Sequence, residues 1–99
     1  MAIDPDAVVT AALSCPSVAA MASGRRDEVA TYLPGRRVPG LRISSQEVEV
    51  HVVARWGVFL PAVGPEIQNA VAPLAGDVPV TVFVDDIQTP SEELALPPG

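Results

Sequence analysis

The chain reads as an α+β protein: a small two-layer domain in the order α-β-β-(β)-α-β, with a mixed four-stranded sheet and two helices on one face. Three observations predict it. From Val48 onward, Val48, Val50, Val52 and Ala54 fall at every second position, the period of a strand that buries one face. Between Pro61 and Ala75, the residues Val63, Ile67, Ala70, Val71 and Leu74 recur at helical spacing, with Glu66, Gln68 and Asn69 off the stripe. Val78, Val80, Val82 and Val84 then return to a period of two. Two strands joined through one helix run parallel with a right-handed crossover, so this unit sets the topology.

The elements follow in order. Asp4-Pro5-Asp6 is a helix start: Asp4 can accept from free amides, Pro5 suits the first helical position and Asp6 suits the positive end of the dipole. Val8, Val9, Ala12 and Leu13 form its apolar stripe, and Pro16 stops it by pushing Cys15 out of the α region, so the first helix is expected over residues 4 to 15. The short apolar run from Val18 to Ser23 and the stretch from Glu28 to Leu33 suggest a hairpin whose tip, 24 to 27, carries Arg25 and Arg26. Residues 34 to 40, Pro-Gly-Arg-Arg-Val-Pro-Gly, have the composition of a loop.

Leu41 to Ile43 fits a short strand, and Ser44 to Gln46 a turn. In the long strand that follows, Trp56 falls in phase with the valines and is expected in the core, whereas Glu49, His51, Val53 and Arg55 fall on the other face. In the second helix, Pro61 and Pro65 are tolerable near the start, while Pro73 should loosen the last turn and Gly76 end it. Thr81 and Phe83 share the non-valine face of the last strand, which Asp85-Asp86 should close in charge. Residues 1 to 87 therefore read as one domain, and 88 to 99 as an acidic, proline-rich, flexible tail.

Composition narrows the function. Ninety-nine residues suffice for a single modest core. The net charge of −6 argues against a partner bound by phosphate neutralisation. All six cations are arginines between Arg25 and Arg55, while residues 57 to 99 carry six acids and no base, so a locally basic middle faces an acidic C-terminal half. The single cysteine excludes an internal disulfide and a cysteine-cluster metal site, and its place before Pro16 suggests a buried structural thiol. No stretch reaches the roughly 20 apolar residues of a membrane span. The first residues lack the basic and apolar regions of a signal peptide. A cytoplasmic protein is expected.

Three pieces of the chain resemble the alkaline shock protein family of Gram-positive bacteria. They are Val48 to Pro61 with its Trp56-Gly57 break, the helix with Val63, Ile67 and Val71, and the closing Val80 to Ile87 with Asp85-Asp86. The family pattern is a valine-alternating strand, a Tyr-Gly or Trp-Gly break with a proline soon after, an amphipathic helix, and a Val-x-Val strand ending in Asp. Residues 29 to 38 and the lack of lysine are similar to the actinobacterial branch, and the likeness spans residues 8 to 87. It implies a non-enzymatic protein linked to cell-envelope or alkaline stress. It also implies self-association and a small membrane-anchor protein as partner, holding the chain at the inner membrane face without insertion. Longer members carry charged extensions; the short tails here argue against tail-mediated assembly.

No catalytic constellation stands out. His51, the one histidine, reads as a partly exposed side chain on the sheet face; proton transfer there would need a partnered nucleophile or base, and the sequence indicates none beside it. There is no phosphate loop, dinucleotide fingerprint or Gly-x-x-Gly of an RNA-binding module, and Asp85-Asp86 with Glu92-Glu93 amounts to an acidic tail. No cofactor, metal or small-molecule substrate is expected. Two surfaces remain. The mixed apolar and charged face of His51, Val53, Arg55, Thr81 and Phe83 is a candidate protein interface. Arg25, Arg26, Arg36 and Arg37 are candidates for holding an anion or an acidic partner, because arginine forks match carboxylate and phosphate. The first implies a scaffold acting through protein–protein contacts and self-association, the second an anion- or nucleic-acid-binding regulatory module.

Overall fold

A computed structural model describes residues 3–22 and 29–89. It is an α+β fold with a mixed four-stranded sheet, a separate two-stranded sheet and two helices. In chain order the elements are α1 (Pro5–Leu13), β1 (Val18–Met21), β2 (Ala30–Leu33), β3 (Arg36–Pro39), β4 (Leu41–Ile43), β5 (Val48–Ala54), α2 (Leu60–Val71) and β6 (Val80–Ile87).

The long strand β5 is the spine. One edge pairs in parallel with β6, from Val48 opposite Val80 to Ala54 opposite Ile87. The other edge is shared by two short antiparallel strands lying end to end: β1 covers the C-terminal half of β5 and β4 the N-terminal half. His51 is the junction. Its main-chain oxygen accepts from Ala22 N at 2.8 Å, and its N–H donates to the Gly40 oxygen at 2.8 Å. The chain therefore leaves the sheet edge and rejoins it at the same residue of β5. Gly40 is required there: its φ is +82°, and a Cβ would lie 2.7 Å from the Ala22 oxygen.

The excursion between the two half-strands contains the β2–β3 hairpin, with Leu33 opposite Arg36 and Ala30 opposite Pro39. Here two expectations are corrected. The strand at Val18 does not fold back on the one ending at Leu33, because β5 takes it as an edge. Residues 36–39 are also not loop. Before them Pro34 and Gly35 turn, with Gly35 at φ +78°, the Pro-Gly pattern of a type II turn, and after them the chain turns again at Gly40. Proline sits at the end of β3, where a missing donor costs little, and Val38 points into the core.

Both helices lie on the valine face. Val8 and Ala12 of α1, and Val63, Ile67 and Val71 of α2, close over Val48, Val50, Val52 and Ala54, all fully buried. Asp4 caps α1 by accepting from Asp6 N at 3.0 Å. The α-helix stops at Val71, short of the expected end at Gly76: Pro73 lacks a donor and sits in a 3₁₀ turn over Ala72–Leu74, with Gly76 following at φ +66°. Leu13 and Leu74, the outermost members of their stripes, stay exposed.

Trp56 is not core. The strand ends at Ala54, Gly57 turns the chain at φ +86°, and the alternation that put Trp56 in phase with the valines no longer holds. Its side chain is 55 % exposed, and Phe59 beside it 74 %. Nor does β6 stop at Asp85-Asp86; it runs on to Ile87 through a register shift, in which Val52 faces Val84 but Val53 faces Asp86. Asp85 is the extra residue of this bulge. The expected tail from residue 90 onward lies outside the described residues, as does the tip with Arg25 and Arg26.

Candidate functional site: the open face of the sheet

The face away from the helices is built by β5 and β6. Odd-numbered residues of β5 (Glu49, His51, Val53) and of the first part of β6 (Thr81, Phe83) share it, through the register that sets Glu49 beside Thr81 and His51 beside Phe83. His51 is at its centre and is buried, with 8 % of its surface exposed. Its ring stacks on Phe83 at a centroid distance of 4.5 Å and an interplanar angle of 13°. Nδ1 lies 2.7 Å from Asp85 Oδ2; a carboxylate can only accept, so Nδ1 carries the hydrogen of this bond. Nε2 points toward Glu49 Oε1 at 3.5 Å, beyond a hydrogen bond, and is buried without a partner. The histidine expected to stand partly exposed is thus the packed centre of the face.

Charges ring this centre. Arg42 of β4 lies 3.6 Å from Glu49, and Thr81 Oγ1 donates to Glu47 Oε2 at 2.9 Å. Val53 is half-buried, Arg55 exposed beyond the strand end, and Phe83 is 40 % exposed. Four of the five residues singled out from the pattern, His51, Val53, Thr81 and Phe83, share one face; Arg55 follows just beyond β5.

Asp85 and Glu49 were not singled out as partners of His51. Asp85 follows Thr81 and Phe83 at a spacing of two, so its face was legible. Its contact with His51 joins positions 34 apart across the strand pair, which no local spacing marks. The arginines separate. Arg36 opens β3 and forks onto Asp6 at the start of α1, with nitrogen–oxygen distances of 3.2 and 2.6 Å; the hydrogen bond to Arg36 holds the Asp6 carboxyl below its ordinary range. Arg37 is exposed on β3 opposite Tyr32.

On the helical side, the Glu66 carboxylate accepts from Ser17 N at 3.1 Å and Ser17 Oγ at 3.0 Å, fixing the turn between α1 and β1. Cys15 is buried in that turn, and burial, helped by the Glu66 charge, pushes its thiol up. Among the described residues, no group of three His, Cys, Asp or Glu side chains could hold a metal ion. No helix among them is long and apolar enough to cross a membrane. No known protein family, curated protein or solved structure matches the chain.

Proposed function

We infer that this protein is a non-enzymatic scaffold that acts through protein–protein contacts on the open face of its sheet and associates with itself. The observation that carries the reading is the state of that face. Val53 and Phe83 present apolar surface beside exposed Arg55, while His51 is committed to Asp85 and Phe83. A general base must reach a substrate proton; with Nδ1 bonded and Nε2 buried, this ring reaches none. A mixed apolar and charged surface on a domain of 10.3 kDa suits an interface. The resemblance to the alkaline shock proteins extends the proposal: a cytoplasmic role in cell-envelope stress, with a small membrane-anchor protein as the second partner. The parallel strand–helix–strand unit formed by the resembling segments is in keeping with it.

The rival reading, anion or nucleic-acid binding by arginines, has less support, because Arg36 already spends its fork on Asp6. Sedimentation velocity over a range of concentrations tests the choice. Assemblies of two or more chains are expected, shrinking on Val53→Glu while the circular dichroism spectrum is kept. A monomer at every concentration would remove self-association. A salt-steep loss of anion binding on changing Arg25, Arg26, Arg36 and Arg37 together to Ser, with assembly size untouched, would favour the rival.

A further inference from the structure

Among the described residues, the outer edge of β6 pairs with no strand, β5 being its only strand partner, although β6, with eight residues, is the longest of the described strands. Which main-chain groups point outward follows from the hydrogen bonds. On β5, His51 sends its N–H and C=O to the β1/β4 side, so Val48, Val50 and Val52 direct theirs to β6. Val48 N donates to the Pro79 oxygen at 2.9 Å; in a parallel ladder the inward groups of β6 are then those of Pro79, Thr81 and Phe83. Those of Val80, Val82 and Val84 point away. Gln68 of α2 agrees with this assignment: its Nε2 reaches the Val80 oxygen at 3.0 Å from the helical side of that edge.

We propose that this edge pairs with the same edge of a second copy, antiparallel, about a two-fold axis through Val82. The inference rests on the self-association put forward above and adds to it an edge-to-edge contact beside the open face. The segment Val80-Thr81-Val82-Phe83-Val84 is self-complementary. With Val82 opposite Val82, Val80 meets Val84 and every outward donor finds an acceptor, while Thr81 meets Phe83 on the open face. Charge selects the register. An axis at Val84 would set Asp85 and Asp86 opposite Phe83 and Val82, inside the ladder; an axis at Val80 would set Val82 and Val84 opposite Val78 and Gly76, which lie outside the strand. An axis at Val82 leaves both carboxylates outside the paired segment. Val84, 38 % exposed although it faces buried Val52 across the strand pair, then gains a neighbour. The two open faces become one continuous surface, twice as wide, for the contacts proposed above.

The test combines a variant with a measurement on the unaltered chain. Val82→Pro removes a donor that points away from β5, and with it two bonds at the axis of the pair. It is expected to weaken dimerisation by about ten- to hundredfold in sedimentation equilibrium. Amide hydrogen exchange of the unaltered protein, followed by NMR, should show slow exchange at Thr81 and Phe83 at all concentrations. Val82 and Val84 should be fast when dilute and at least about tenfold slower in the assembled state. Assemblies whose Val82 and Val84 amides exchange at the same rate dilute and concentrated would overturn the edge pairing while leaving self-association intact, as would a folded Val82→Pro that assembles like the parent. A chain monomeric at all concentrations would remove both.

Discussion

Individual residues carry the sharpest constraints where the backbone has no room. Gly40 sits where β1 ends and β4 begins, at φ +82°, with the Ala22 oxygen 2.7 Å and the His51 oxygen 3.1 Å from the place of a Cβ. Both obstacles are main chain, so neither can yield without breaking the hydrogen bonds at His51. Gly35 has nearly the same φ, +78°, but open space around it. The pair separates conformational strain from collision. Gly35→Ala is expected to cost about 1 kcal/mol, the left-handed penalty alone. Gly40→Ala should cost at least about 3 kcal/mol or prevent folding. Urea denaturation compares them, and equal losses would show that the approach at Gly40 is not close.

Among the elements, the turn from α1 to β1 shows how little of a connection is local. Its conformation is held by Glu66, forty-nine positions from Ser17 in sequence, through two hydrogen bonds. The same arrangement buries Cys15 against α2, where its Sγ lies 3.8 Å from the Glu66 carbonyl oxygen. The thiolate is the reactive form, and burial together with the Glu66 charge disfavours it. Alkylation of Cys15 near pH 8 should therefore be at least about tenfold slower in the folded protein than in denaturant. Equal rates would mean that the turn opens readily.

For the whole molecule, the contact between the hairpin turn and the start of α1 ties the excursion back to the helical layer. It is the fork of Arg36 on Asp6, on the surface, where such pairs are individually weak. Its pH dependence has a defined sign. The hydrogen bond to Arg36 lowers the Asp6 pKa in the folded state. The contribution is therefore present above the unfolded value of about 3.9 and is lost as pH falls through the lowered one. The urea midpoint of Arg36→Ser should lie below that of the parent at neutral pH and converge on it under acid conditions below about pH 4. A difference unchanged between neutral and acid pH would show that the fork does not persist in solution.

The sequence by itself determined the elements whose signals are periodic and local: α1 with its Asp4 cap, the alternating valines of β5 and the stripe of α2. With them came the parallel strand–helix–strand unit and the face on which His51, Val53, Thr81 and Phe83 meet, because a period of two assigns faces without knowing the neighbours. Tertiary structure decided what lies beside what. Pairing partners were not legible, since an isolated strand is compatible with many edges: β1 went to β5, and residues 36–39, rich in arginine and proline, became a strand only because β2 lay alongside. The bulge at Asp85 was equally invisible, as a register shift arises from fitting two strands together. The parallel pairing of β5 and β6 set an expected terminal charge, Asp85, beside a buried histidine. Trp56 makes the same point from the opposite side: its phase with the valines was real in sequence, but the turn at Gly57 ended the strand before the phase could bury it.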